Sequence, residues 1–152
     1  MPLHDHPNMS VFFRLILGNL DYRAYDKIDN KYKYNDFAND EYYELLMKQE
    51  KVKARKSRQM NIKAGNLLFV RPSFNNMHHF VAKENSCFFD ICLPNYTSDN
   101  HTRKVTYYRE TGDCPRHPSC SGLTELEYYT TPELGMPENF EINEINYRGS
   151  LS

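Results

Sequence analysis

The chain has 152 residues, which suits one domain with a modest hydrophobic core. Its 19 Lys and Arg residues nearly balance its 20 Asp and Glu residues, so the overall charge gives no general attraction to nucleic acid or anionic membranes. Aromatic residues make up 14% of the chain, which favours a folded, β-rich protein over a disordered one. We expect no membrane span and no signal peptide, because no apolar run is long enough and the first residues lack the pattern of a basic segment before an apolar one.

The first part of the chain predicts strands followed by a loop. Met9–Leu20 is rich in β-forming residues and predicts a strand that turns at Gly18 and Asn19 into a second strand. Asp21–Asp26 alternates polar and apolar residues and continues the sheet. Asp26–Asp40 is polar throughout and predicts a loop.

A helix is predicted over Glu41–Gln59. Its apolar residues fall on one stripe, with Glu and Lys on the other face; they are Tyr42, Leu45, Leu46 and Val52. The end of this segment, Lys48–Arg58, is strongly basic. We interpret the basic residues as a solvated face, with a patch that binds acidic or peptide ligands as the alternative.

From Ala64 onward the pattern predicts short strands separated by turns. Glu110–Gly122, rich in Pro, Gly and Ser, predicts a loop. The predicted strands are Leu67–Val70 (buried), Met77–Ala82, Ser86–Leu93 (apolar), Val105–Arg109 and Thr124–Tyr129. Many short strands at regular spacing predict an all-β sandwich or barrel, and a jelly-roll barrel suits the histidine layout described below.

The four cysteines do not form a dense disulfide framework. Cys87 and Cys92 lie in an apolar run and predict small buried residues. Cys114 and Cys120 flank a segment whose spacing matches no common zinc pattern. We therefore predict a reducing compartment, the cytoplasm or the nucleus.

Two histidines one residue apart, His4 and His6, are the strongest functional signal. Residues i and i+2 of a β-strand point to the same face, so both imidazoles can be directed at one point. A third imidazole from a neighbouring strand, His78 or His79, would complete a three-sided metal cap. Because three ligands on one side leave the other side open, this geometry predicts a catalytic metal site.

The residues alone leave two points of this site open. His78 and His79 point to opposite faces of their strand, so only one of them can be a ligand. Neutral imidazoles suit Fe, Zn, Cu or Ni, so the metal is not determined. No carboxylate is well placed as a fourth ligand, since Asp5 faces away from its two neighbours, and His101 and His117 lie in predicted loops.

Four motifs identify a family resemblance. In chain order they are Pro2-Leu3-His4-Asp5-His6-Pro7, Asn76-Met77-His78, Asp90-Ile91-Cys92-Leu93-Pro94-Asn95-Tyr96 and Tyr107-Tyr108-Arg109. In order and rough spacing they resemble the cysteamine (2-aminoethanethiol) dioxygenase and plant cysteine oxidase family. The likeness covers nearly the whole chain.

The resemblance implies a cupin fold and one non-haem Fe(II) per chain, held by His4, His6 and His78. It also implies that both atoms of O2 are added to the sulfur of cysteamine, or of a protein N-terminal cysteine, to give a sulfinic acid. With the protein substrate, the product feeds an oxygen-sensitive degradation signal. We expect a monomer that consists of a single domain over residues 1–152.

Three further residues match positions of the family's motifs. Asp90 would bind or orient the substrate amine, with a structural acid that caps a turn as the alternative. Tyr96 and Tyr107 would line the pocket and hydrogen-bond substrate or oxygen, with core tyrosines as the alternative.

The chain departs from the family pattern in three places. It begins at the histidine motif, where family members have preceding strands, so we expect a barrel that lacks its N-terminal strands. Val105 stands where some members carry a cysteine, which excludes a cysteine–tyrosine crosslink to Tyr107. Asp29–Lys53 matches loosely and is interpreted as a divergent or inserted region.

Other functions compete with the dioxygenase prediction. A catalytically inert cupin would bind metal or a small ligand without turnover. An isomerase or a keto-acid-dependent oxygenase would place a carboxylate among the ligands, and none is suitably placed. Nucleic-acid binding rests only on the basic run Lys51–Arg58.

Overall fold

The computed structural model describes residues 1–28, 51–96, 105–113, 122–128 and 140–145. Within these ranges the chain forms nine strands and no helix, so the prediction of an all-β protein is confirmed. The strands are β1 (Leu3–His4), β2 (Ser10–Leu17), β3 (Asn19–Lys27), β4 (Val52–Lys63), β5 (Leu67–Val70), β6 (Met77–Ala82), β7 (Cys87–Leu93), β8 (Tyr107–Asp113) and β9 (Leu123–Tyr128). None of these residues belongs to a helix long and apolar enough to cross a bilayer.

The strands divide into a closed barrel and a second sheet. Six strands close the barrel in the order β1-β6-β3-β4-β9-β8, and the other three form a sheet in the order β5-β2-β7. The strand pairs are antiparallel. This arrangement is a cupin-like β-barrel, as the resemblance predicts.

Two apolar clusters lie on opposite faces of the barrel strands. The inter-sheet cluster connects the barrel with the second sheet; its members are Phe13, Leu15, Leu20, Tyr22, Ala24, Ile62, Leu68 and Phe80. The barrel cluster draws on barrel strands alone; its members are Leu3, Tyr25, Val52, Ala54, Met77, Tyr108 and Leu126. Because neighbouring residues of a strand face opposite ways, Leu3 and Met77 in the barrel cluster direct His4 and His78 towards the second sheet.

The prediction of a helix over Glu41–Gln59 is wrong from Val52 onward. Residues 41–50 lie outside the described residues, so the first part of this prediction is not tested. Val52–Lys63 forms β4, which pairs with β3 and β9. Val52 and Ala54 are buried in alternation with exposed basic residues, which is the period of a strand. The Lys and Arg side chains of β4 are exposed, and Lys56 among them lies over the Tyr25 ring of the barrel cluster.

Burial in the second sheet also differs from the prediction. Leu67–Val70 is a strand, but only alternate residues are buried, since β5 has one covered face. Cys87 is exposed and Cys92 is half-buried, so their predicted burial is wrong. Both thiols are free, whereas Cys114 and Cys120 lie outside the described residues.

The remaining strand predictions hold with small shifts. The turn at Gly18 joins β2 to β3, and Met77–Ala82 is a strand with the predicted bounds. The strand predicted over Val105–Arg109 runs from Tyr107 to Asp113, so the first residues of the predicted loop are strand instead. These residues are a strand because they pair with β9, a distant contact that the Pro-, Gly- and Ser-rich composition of the predicted loop does not indicate.

Candidate metal centre

Pairing of β1 with β6 brings the first and third histidines together. His4 and His78 are direct partners in the antiparallel register. β1 ends at His4, so His6 follows the strand rather than lying in it, contrary to the extended His-x-His strand that the sequence predicts. Continuing the same register by two residues places His6 opposite Asn76, and the two residues are joined by hydrogen bonds.

The three imidazoles of His4, His6 and His78 form a compact buried cluster. Each pair of ring centroids is 4.8 Å apart. One ring nitrogen from each residue lies within 4.8 Å of those of the other two, and His6 Nε2 is 3.4 Å from His78 Nε2. All three side chains are buried, at 5% exposure or less.

The other ring nitrogen of each histidine is already engaged. His4 Nδ1 lies 2.8 Å from the Pro2 carbonyl, and His78 Nδ1 lies 3.4 Å from the Asn75 carbonyl. Carbonyl oxygens only accept, so in both rings Nδ1 carries the proton. Both Nε2 atoms therefore keep a free lone pair, which is the tautomer that a metal requires.

Tyr96 fixes the third imidazole in the same way. Its hydroxyl donates to the Asp5 carbonyl at 2.8 Å and lies 2.7 Å from His6 Nδ1. Because a phenol has one proton, its oxygen accepts from His6 Nδ1. His6 Nε2 is then free towards the cluster.

Burial keeps the cluster uncharged. It lowers the pKa of His4 to about 4 and the pKa of His6 to about 3, and it lowers the pKa of His78 well below its ordinary value. At neutral pH, two unprotonated nitrogens therefore face each other across 3.4 Å. Opposed lone pairs repel, and a cation between them removes the repulsion, so the donor set fits a metal ion.

No acid joins these histidines in the part of the chain that the structure describes. Asp5 points to the opposite face, where its carboxylate accepts from the Thr106 N–H and from the Tyr108 hydroxyl, each at 2.9 Å. His79 also lies on that face, beside Tyr25 of the barrel cluster. His101 and His117 lie outside the described residues.

Comparison with known proteins agrees with this geometry. A family model described as PCO_ADO matches residues 1–151. The chain belongs to the PCO_ADO family, which comprises cysteamine dioxygenases and cysteine oxidases. A curated relative from Dictyostelium discoideum, named probable 2-aminoethanethiol dioxygenase, is 30% identical over 148 residues. That match covers 96% of this chain but only 60% of the relative, so the chain spans less than two thirds of the relative's length.

Of the other three residues that the PCO_ADO motifs indicate, Tyr96 and Tyr107 lie beside the histidines, and Asp90 lies on the neighbouring sheet. Tyr96 contacts His6, with ring centroids 5.4 Å apart, and its hydroxyl forms a hydrogen bond with His6 Nδ1. Tyr107 is the register partner of His4, with ring centroids 6.1 Å apart. Asp90 lies on β7 opposite Phe13, on the face of the second sheet that packs against the barrel.

Asp90 and Tyr96 carry shifted pKa values. Burial raises the pKa of Asp90 to about 6. Within the described residues, nothing donates a hydrogen bond to its buried Oδ1. Burial also raises the pKa of Tyr96, with the nearby Asp5 carboxylate adding to the shift, so the Tyr96 hydroxyl stays protonated.

The sequence analysis did not predict that two asparagines support the PCO_ADO histidines, although Asn76 belongs to one of the quoted motifs. Asn75 supplies the carbonyl next to His78, and Asn76 bonds to the backbone of His6. Asn75 has a positive φ of 55°, a conformation that Asn tolerates better than most residues. The pair of asparagines just before a histidine-bearing strand was the available signal.

Proposed function

We propose that this protein is a thiol dioxygenase that uses Fe(II) to convert a thiol into a sulfinic acid. The reaction is R–SH + O2 → R–SO2H, in which sulfur is oxidised and both oxygen atoms of O2 are retained in the product. The observation that carries the proposal is the buried set of three histidine Nε2 atoms, each directed by a fixed Nδ1 partner. Family membership and the named relative supply the reaction class.

His4, His6 and His78 would hold the metal. Fe(II) at this position would bind the thiol as thiolate and bring sulfur and dioxygen side by side. Because the three imidazoles are neutral, they leave the positive charge of the metal intact, which favours an anionic sulfur ligand. Their burial excludes water from the side of the metal that they cover.

The two candidate substrates share one chemical unit. Cysteamine and an N-terminal cysteine both carry an amine two carbons away from the sulfur. A group that accepts hydrogen bonds from that amine would therefore suit both, and Asp90 has a buried oxygen that no described residue satisfies. We assign Asp90 to the substrate ammonium group, whose positive charge would lower the raised pKa of this carboxyl.

Tyr96 and Tyr107 take different parts in this proposal. The Tyr96 hydroxyl orients His6 and holds the His6 Nδ1 proton. Tyr107 lies beside His4 and is nearly buried, so its ring would line the pocket next to the reacting sulfur. Burial also raises the pKa of Tyr107, so its hydroxyl would act as a neutral donor.

Mass spectrometry on two thiols tests the function directly. Fe(II)-loaded protein is incubated in air with cysteamine and, separately, with a peptide that begins with cysteine. We expect a mass gain of two oxygen atoms on at least one thiol, with both atoms from O2 when the gas is isotopically labelled. The same peptide with its amine acetylated should react far more slowly, since Asp90 then has no ammonium group to bind.

The His78→Ala variant is the control for the metal site, and iron content is measured in each sample. Bound iron without any product would contradict the dioxygenase proposal and favour an inert metal-binding cupin. A product that persists in the variant would contradict the role of the histidines.

A cytoplasmic or nuclear location completes the proposal, and its support is the cysteine usage of the sequence. If proteins with an N-terminal cysteine are the substrates, their oxidation would feed an oxygen-dependent degradation signal. Imaging of a tagged protein in cells tests the location.

A further inference from the structure

The short β1 strand leaves His6 outside the regular β ladder. Only His4 of this strand has a backbone partner on β6, namely His78. Two residues further along that register His6 lies opposite Asn76, and β6 begins only at Met77. An imidazole that follows the end of a strand has fewer backbone constraints than one within it.

The Asn76 side chain takes the place of the missing partner on β6, while the His6 carbonyl also accepts from the Met9 N–H at 3.1 Å within the local turn. Asn76 Oδ1 accepts from the His6 N–H at 3.1 Å, and its Nδ2 donates to the His6 carbonyl at 2.7 Å. These are the two bonds that a facing strand residue would exchange with His6. The second Nδ2 hydrogen reaches the Arg71 carbonyl at 3.2 Å, so the whole carboxamide is engaged.

We propose that Asn76 is a positioning residue that fixes the backbone of His6 and so sets the direction of its Nε2 towards the metal. Asn76 and His6 are 7% and 2% exposed, so water does not replace these bonds when they are lost. The side chain touches no group that would react; it acts through His6 alone. The inference rests on the metal site of the proposed function, and it gives a role to Asn76, to which the Asn76-Met77-His78 motif by itself assigns none.

The test combines amide exchange with metal affinity in four variants. Asn76→Ala removes both bonds, whereas Asn76→Asp keeps the acceptor for the His6 N–H but loses the donor to the His6 and Arg71 carbonyls. Asn61→Ala is the matched control, because Asn61 is an exposed asparagine that bonds to Asn19 and Asp21 away from the histidines. Ile62→Val lowers stability in the inter-sheet cluster without touching β1.

Hydrogen–deuterium exchange by NMR, without metal, reports on the His6 N–H directly. We expect exchange at this amide at least about tenfold faster in Asn76→Ala, a smaller increase in Asn76→Asp, and near the parent rate in Asn61→Ala and Ile62→Val. Unchanged exchange in Asn76→Ala would overturn the proposal. So would an equal increase in Ile62→Val, because the effect would then be one of general stability.

Co(II), whose visible absorption reports on its ligands, measures the consequence for the metal. We expect Asn76→Ala to bind Co(II) about 10–100-fold more weakly, as is typical when a residue that orients a metal ligand is lost. Asn61→Ala and Ile62→Val should bind like the parent. Parent-like affinity in Asn76→Ala would refute the link to the metal. If the parent bound no Co(II), the metal site itself would fail, while the exchange rates would still decide whether Asn76 fixes His6.

Discussion

At the residue scale, the chemistry of the candidate site depends on which ring nitrogen of each histidine carries the proton. Three different groups accept a hydrogen bond from the Nδ1–H of these histidines: the Pro2 carbonyl, the Tyr96 hydroxyl and the Asn75 carbonyl. The two carbonyls belong to the backbone, so Tyr96 is the one acceptor of the three that a substitution can remove. The tyrosine is therefore the best single residue for testing how imidazole orientation affects the metal.

We expect Tyr96→Phe to weaken metal binding by about tenfold or more, because His6 Nδ1 loses its acceptor and the ring gains freedom. Isothermal titration with Co(II) measures this change. Tyr107→Phe serves as the matched control, since Tyr107 contacts the His4 ring but no hydrogen bond joins the two side chains. A loss of equal size in both variants would contradict a specific role for the Tyr96 hydroxyl.

The raised pKa of Asp90 predicts a pH-dependent effect on stability. Its pKa of about 6 in the folded protein lies above the ordinary 3.8, so the folded state binds this proton more tightly than the unfolded chain does. The ionised carboxylate therefore lowers stability as the pH rises through about 6. Asp90→Asn removes that charge and should raise the free energy of unfolding at pH 8 by roughly 1 kcal/mol, after allowance for partial solvent screening.

The gain in Asp90→Asn should shrink as the pH falls below 6 and approach zero below about pH 3, where the parent carboxyl is protonated in both states. Urea unfolding at several pH values, with a chelator throughout, measures the difference from the parent. Asp21→Asn is the control. A hydrogen bond from Lys83 lowers the pKa of Asp21, so its ionised carboxylate favours the folded state and this substitution should lower the free energy of unfolding at pH 8. A gain that does not vary with pH would refute the explanation by burial.

At the element scale, the turn between β2 and β3 determines how the second sheet connects with the barrel. Gly18 occupies it with a φ of +93°, in contact with Ser86 just before β7. The Ser86 hydroxyl also accepts from the Asn19 N–H at 3.3 Å, where β3 begins. A side chain at position 18 would therefore disturb three strands at once.

Gly18→Ala should destabilise the protein by clearly more than Gly65→Ala. Both glycines have nearly the same φ, +93° and +92°, so the backbone strain is matched and costs about 1 kcal/mol in each. A Cβ at Gly18 would overlap Ser86 Oγ and lie 2.7 Å from the Asn85 carbonyl, whereas nothing lies within 4 Å at Gly65. We expect a further 1–3 kcal/mol or so for Gly18→Ala, measured by urea unfolding. Equal losses would show that the contact with Ser86 and Asn85 has no effect.

At the scale of the whole molecule, one surface of the second sheet is apolar and exposed. We define this outer face by the residues Phe12, Leu67, Phe69, Phe89, Ile91 and Leu93, which are 41% to 72% exposed. Phe12 pairs with Phe69 on one side and with Ile91 on the other, so the apolar side chains are contiguous. Contiguous exposed apolar surface promotes association, and the prediction of a monomer stays open on this point.

We expect the double variant Phe69→Lys, Ile91→Lys to remain monomeric at concentrations where the parent associates, because charges on the outer face oppose its burial. Analytical ultracentrifugation over a range of concentrations measures this difference. Lys53→Ala, on an exposed position of β4, is the control and should behave like the parent. A parent that stays monomeric at every concentration would contradict the prediction.

The sequence by itself determined the class of the protein and the residues that could chelate a metal. Period-two alternation and turn residues are local signals, so β2, β3, β6 and the Gly18 turn were predictable. The His-x-His motif and its resemblance also indicated His4, His6 and His78 before any contact was known. These features depend on residues that are close in the chain or on motifs that keep a fixed spacing.

Tertiary structure decided what depends on distant partners. β4 is a strand because β3 and β9 pair with it and because Val52 and Ala54 fill the barrel cluster, although the spacing of the apolar residues had predicted a helix. Asn76 lies 70 residues from His6, and Tyr96 lies 90 residues from it, so only the folded chain shows that they orient this imidazole. Tautomer, burial and the distance between opposed nitrogens arise from packing between elements, which no local pattern in the sequence encodes.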